Sequence, residues 1–283
     1  AMPGAPSMSN VIASQMLGVS ATAAPISSII ATIVITAFSY WYLTRLQKKY
    51  IKQGRVFEED KVKTADMATF GRDNIPKAGA AILPMAVMII LYITLSNLNI
   101  GLNSTEAICV AMFVSSVLVV AMNRKRFQNL KASIGRGALE SVSPLISLSV
   151  ILAFSAVVQA TQGFEIFVNA ITSLSFGPYA QAILSCNVIG LITASSSGTV
   201  KLVLSTFGET WLASGVNTEV LCRVVSLSSN GLSFAPHSGG LFPVLDVSGE
   251  TLKTIFIDSF IASALACFIG VLTVLALAAI GIA

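Results

Sequence analysis

The chain has 283 residues, of which only 17 are basic and 13 acidic, a charged share of 11% against 54% apolar. Soluble domains carry roughly 25% charged residues, so with a mean hydropathy of +0.82 this chain lacks the ionisable groups to cover a soluble surface. Disorder, a collagen-like repeat and a disulfide scaffold are excluded by the same composition, which leaves an all-α polytopic membrane protein.

The charges are clustered. Fourteen of the basic residues fall within 45–77 and 124–136, and the long intervals between, 78–105, 107–123, 141–164, 166–200, 224–245 and 259–283, hold none at all. A helix needs about 20 apolar residues to cross a hydrocarbon core of about 30 Å, and most of these intervals suffice. The net charge of +4 is therefore a topology signal, and no nucleic-acid partner is expected.

The chain opens on Ala1-Met2-Pro3-Gly4-Ala5-Pro6 without a basic flank or a leading apolar helix. It reads as the interior of a longer protein, with 1–18 as the end of a broken helix. The first span is expected over about 20–44. It closes on the aromatic cluster Tyr40-Trp41-Tyr42 ahead of Arg45, Lys48, Lys49 and Lys52, an end that the positive-inside rule puts in the cytoplasm. Residues 45–77 form a polar cytoplasmic segment. Spans over 79–97 and 105–122 follow, and Arg124, Lys125, Arg126 and Lys131 bring the chain back to the cytoplasmic side. A further crossing is expected over about 137–160.

From residue 137 to 283 the pattern changes. Within the uncharged stretch 166–200 lies Thr193-Ala194-Ser195-Ser196-Ser197-Gly198-Thr199, where hydroxyls that compete for backbone hydrogen bonds and a glycine break a helix. Residues 179–214 read as a re-entrant hairpin with this run at its tip. Residues 218–249 read as a second broken helix, interrupted by Ser228 through Gly240, including Asn230-Gly231 and Pro236-His237-Ser238-Gly239. Non-helical backbone cannot face lipid, and transporters use it to line a cavity. A last span covers 254–282. The Pro/Gly/Ser content of the opening, with Pro3 and Gly4, echoes that of 235–240 and suggests inverted repeats.

The hairpin tip offers hydroxyls and free N–H groups at helix ends, which suit a carboxylate; the alternative is close helix packing through small residues. His237 is the one histidine. An ionisable group at membrane depth is a functional candidate, and histidine titrates near physiological pH, so His237 is assigned to substrate contact or proton coupling. Its alternative is a histidine satisfied by its neighbours. Asn230 and Ser238 would accompany it. Lys201 either counters an anion or snorkels. Glu209, Glu219 and Arg223 read as an ion-pairing group at the outer connection, and Asp246, Glu250, Lys253 and Asp258 as interfacial. The four cysteines, Cys109, Cys186, Cys222 and Cys267, have no metal-ligand spacing, so no metal or cofactor is expected. No hydrolase elbow or phosphate-binding loop is present, and no enzymatic activity is expected.

Taken with their order along the chain, Pro3-Gly4-Ala5-Pro6 followed by Asn10, the Ser195–Gly198 tip, Pro236–Gly239 and Gly249-Glu250-Thr251-Leu252-Lys253-Thr254 resemble the gluconate:proton symporter family of the ion-transporter superfamily. The resemblance implies two inverted repeats, each with a hairpin and a broken helix, a homodimer, and elevator-like movement of the hairpin-bearing part, with 19–136 as mainly scaffold helices. It further implies that Ser195, Ser196, Ser197, Gly198 and Thr199, with Asn230, Gly231, His237, Ser238, Gly239, Pro3 and Gly4, bind the substrate. The Pro-His-Ser-Gly form is closer to branches handling small carboxylates other than gluconate. The expected function is secondary active transport of a small organic anion with a coupling proton, in a bacterial cytoplasmic membrane among its lipids. A sodium-coupled carrier, a cation antiporter of the same superfamily, or a non-transporting membrane subunit are the alternatives.

Overall fold

A computed structural model describes residues 7–54, 78–97, 102, 104–127, 129–238, 240–248 and 250–282. Among these residues the structure is helical throughout, with no strand. Four helices are long and apolar enough to cross a membrane: α2 (Pro25–Lys52), α3 (Ala78–Asn97), α4 (Ser104–Asn123) and the final stretch Leu252–Ala279. The protein is a multi-pass membrane protein. Large apolar side chains such as Ile82, Phe113, Val117 and Leu272 point outward, as lipid requires, while many polar side chains lie inside.

The short helix α1 (Met8–Met16) is separated from α2 by eight residues. Ala24, in the left-handed region at φ 45°, turns the chain, and Pro25 then opens α2, where its fixed φ is pre-set for helix and its missing N–H costs nothing. Along α2 the hydroxyls of Ser28, Thr32 and Thr36 each donate to the carbonyl four residues earlier, so these three are satisfied within the span. Helices α3 and α4 form a pair, tied where Ser115 Oγ donates to the Pro84 carbonyl at 2.9 Å.

After α5 (Leu130–Gln159) and α6 (Gln162–Thr172) come α7 (Pro178–Thr193), α8 (Ser196–Ala213) and α9 (Thr218–Ser228). These last three pack on one another and on α1, forming the centre of the molecule. Phe207 and Trp211 of α8 stack at 5.3 Å, and the Trp211 indole donates to Gln181 Oε1 of α7 at 3.0 Å. Helix α10 (Leu241–Ser248) leads to α11 (Leu252–Phe260), a π-helical turn over Ile261–Leu265, and α12 (Ala266–Ala279). α12 lies against α2 and α9, with Gly270 so close to Ile35 and Leu227 that a side chain there would collide.

Candidate functional site

The tip of the α7–α8 hairpin is a reversal of two residues. Ala194 takes the left-handed conformation at φ 48°, its N–H closing the end of α7 on the Gly190 carbonyl at 2.8 Å, and Ser195 is extended. Ser195 caps α8: its Oγ accepts from the Gly198 N–H at 3.3 Å and sits 3.4 Å from Ser197 Oγ. Thr199 is buried and donates to the Ser195 carbonyl at 2.8 Å, with Thr193 Oγ1 3.0 Å away. The serine run therefore does not unwind the backbone beyond Ser195. Ser196, Ser197, Gly198 and Thr199 form the first turn of α8, leaving N–H groups at its start.

The second break begins where α9 ends at Ser228 and runs to Gly240. Its course is set by α7. Asn187 Oδ1 accepts from the Leu232 N–H at 3.2 Å, while its amide nitrogen donates to the Ile183 carbonyl at 2.8 Å. Gly231 passes so near that a Cβ on it would stand 2.5 Å from Asn187 Oδ1. One turn on, Gly190 faces the Ser233 N–H. At the tip, Ser238 Oγ donates to the Ala194 carbonyl at 3.3 Å, and His237 Nε2 lies 3.4 Å from the Ile192 carbonyl. The hairpin and the broken segment thus run side by side from Asn187 to the tip. Asn230 turns back onto its own helix, donating to the Ser226 carbonyl at 2.8 Å. Pro3, Gly4 and Gly239 lie outside the described residues.

The electrostatics of this junction are read from its backbone ends. α7 finishes at the tip with its carbonyl groups and the negative end of its dipole, α8 begins there and α10 begins at Leu241, three residues past Ser238, while α9 finishes farther back, beside Asn187. Carbonyl oxygens at half-helix C-termini coordinate cations in transporters. Lys201 is exposed on α8, two residues past the Thr199 contacts.

A second polar focus carries no motif. Arg223 of α9 is wholly buried, and its guanidinium reaches the turn between α1 and α2. Nε donates to the Ala23 carbonyl at 2.7 Å, one Nη to the Ala21 carbonyl at 2.6 Å, and the other to Asn10 Oδ1. One helical turn earlier, Glu219 accepts from the N–H of the left-handed Ala24 at 2.7 Å. Glu219 and Arg223 read as an ion pair in the sequence; Glu219 instead holds a backbone N–H, and Arg223 two backbone carbonyls and the Asn10 amide oxygen. Sequence reasoning missed Asn187 and gave Asn10 a place in a motif but no role, and an arginine at helical spacing from a glutamate was the only trace of this clamp. Ser185 on α7 and Ser228 on α9 are also buried, with hydroxyls that find no protein partner.

A family model described as the Na+/H+ antiporter family matches residues 6–235. The uncharacterized transporter YxjC of Bacillus subtilis (strain 168) is 23% identical over 294 residues, covering 92% of this chain. The chain spans 62% of the length of that curated relative. No solved structure matches the chain. The match to the antiporter model overturns the resemblance to the gluconate:proton symporter family, and the grounds for an organic anion as cargo and for a homodimer go with it. The physical reason is that Ser195–Gly198 and Pro236–Gly239 consist of residues that any hairpin tip or helix break requires. Such motifs report the break and not the ligand.

Proposed function

The chain belongs to the Na+/H+ antiporter family, and from that premise we propose that it exchanges sodium for protons across a bacterial cytoplasmic membrane, as a secondary transporter. The observation that carries this reading is the carbonyl end of α7 at the hairpin tip, where the hydroxyl of Ser238 and the imidazole of His237 already lie against the Ala194 and Ile192 carbonyls. Neutral oxygens replace part of the hydration shell of a monovalent cation without a dedicated carboxylate. The cation ligands are the carbonyls of Ile192 and Ala194 with the hydroxyls of Ser195, Ser197 and Ser238. His237, next to Ser238 in the chain and solvent-accessible, carries the proton. Ser196, Gly198, Thr199, Asn230 and Gly231 shape the backbone around them, and the α7–α8 hairpin enters and leaves the membrane on one side.

The test is the purified transporter in proteoliposomes with an internal pH-sensitive dye and an imposed proton gradient. Added sodium collapses the gradient, choline does not, and His237→Ala abolishes the response while the protein still inserts. Accumulation of radiolabelled organic acids, with no response to sodium, would overturn the exchange reading.

A further inference from the structure

A cavity separate from the hairpin tip lies between α2, α11 with its π-helical turn, and the far side of the broken segment. Its volume is about 760 Å³, within the range of about 300–1,000 Å³ typical of small-molecule sites. α2 contributes Ser39, Leu43, Leu46 and Tyr50, and the broken segment and α10 contribute Phe234 and Val244. Glu250, Asp258, Ser259 and Ser263 come from α11 and its flanks. We propose that this cavity binds an organic ammonium ion carrying an apolar body.

Three observations fix the chemical class. Among the described residues the lining holds two carboxylates, Glu250 and Asp258, and no lysine, arginine or histidine, so an organic anion would meet like charge on its walls. Arg45 and Lys49, the nearby cations on α2, are drawn to the faces of Trp41 and Tyr50 at 5.6 and 6.0 Å. The Asp258 carboxylate is positioned in advance, because it accepts from the hydroxyl of Tyr42 at 3.3 Å and from that of Tyr50. A carboxylate has about four acceptor positions, so these bonds orient it and leave room for an N–H donor. The remaining lining is largely aliphatic and aromatic, with Leu43, Leu46, Val244, Ile255 and Phe234. That surface suits an alkyl body, and the ring of Phe234 suits an ammonium ion.

Asp258 stands six residues into the last span, about 9 Å along it at the helical rise. A carboxylate at that depth needs a partner or a function. Next to it the π-helical turn takes the backbone out of the ordinary ladder, a distortion frequent at ligand sites, and Ser39 Oγ ties the turn to α2 by donating to the Ala262 carbonyl at 3.4 Å.

The test reads binding, so sodium–proton exchange by the same preparation neither supports nor overturns it. The purified transporter is titrated with n-hexylammonium, n-hexanol and hexanoate while its thermal unfolding is followed. Hexylammonium alone gives a saturable upward shift, and Asp258→Asn removes it. A shift with hexanol of equal size, or one that survives Asp258→Asn, overturns the proposal. Should Asp258→Asn fail to fold, a second arm uses Ser263→Cys in a background without the four native cysteines. A cationic methanethiosulfonate reacts at least about tenfold faster than an anionic one, the range expected of a one-sign cleft, and hexylammonium protects the thiol. Equal rates, no reaction, or no protection overturn it.

Discussion

Arg223 shows how a buried charge is made tolerable when no countercharge touches it. Desolvating a guanidinium costs several kcal/mol, and here its donors are directed at the carbonyls of Ala21 and Ala23 and the amide oxygen of Asn10. Those oxygens belong to a turn between two helices, and away from water each would cost about 1–3 kcal/mol unpaired. Arg223→Ala should therefore lower stability by at least about 3 kcal/mol, measured as the unfolding free energy in mixed micelles. Arg223→Lys keeps the charge but loses the fork and should fall between. An alanine variant as stable as the parent would show that the clamp contributes nothing. Gly231 offers a sharper local test. Gly231→Ala forces the Asn187 side chain away and breaks its bond to the Leu232 N–H, so it and Asn187→Ala should each reduce exchange and stability. Sharing one contact, the double variant should cost less than the sum, and strict additivity in a double-mutant cycle would deny the contact. None of this was legible in the sequence. The partners of Arg223 lie 200 residues or more away along the chain, and nothing local in 218–228 names them.

Elements were far more legible, because bilayer thickness converts directly into a length of apolar chain. Residues 79–97 and 105–122 were expected as spans, and α3 and α4 occupy 78–97 and 104–123. The first span was expected at 20–44 and is found at 25–52. Its start is set by Ala24 and Pro25, and it continues through Arg45, Lys48 and Lys49 because such residues are good helix formers whose heads reach water. The serine run was read as an unwound tip, yet only Ala194 and Ser195 leave the helix. A serine favours the N-cap as strongly as it disfavours a helix interior, and composition alone does not say which role it takes. Ser195→Ala should cost about 1 kcal/mol through loss of the cap. It should also slow exchange, while Ser195→Asp, which caps equally well, should restore stability. Thermal unfolding and dye-based exchange on the same preparations separate the two effects.

At the scale of the whole molecule, the two ends of α2 define the orientation. Its N-terminal end meets the start of α9 through Ala24 and Glu219, and its far end carries Arg45, Lys48, Lys49 and Lys52. The positive-inside rule places the basic end in the cytoplasm. In a cysteine-free background, Lys48→Cys should then react with a membrane-impermeant maleimide only in inverted vesicles, and Gly215→Cys only in right-side-out cells. The reverse pattern would invert the topology. The sequence located the charge clusters and the broken segments, but not the sign of the cargo. Ser, Gly and Pro do not encode which helix ends converge, a property of the three-dimensional arrangement.

The clamp on the α1–α2 turn also sets a schedule for biogenesis. Ribosomes add about 5–20 residues per second, and Arg223 follows Ala23 by 200 residues. For about 10–40 s the newly inserted turn lacks the guanidinium donors, with Asn10 Nδ2 reaching the Ala21 carbonyl at 3.3 Å, and its other carbonyls must be held by water, by the insertion machinery or by α3 and α4. The N-terminal elements are therefore assembled provisionally and completed only when α9 arrives, so a translational pause between residues 60 and 217 lengthens the interval in which the nascent protein is exposed to quality-control proteolysis.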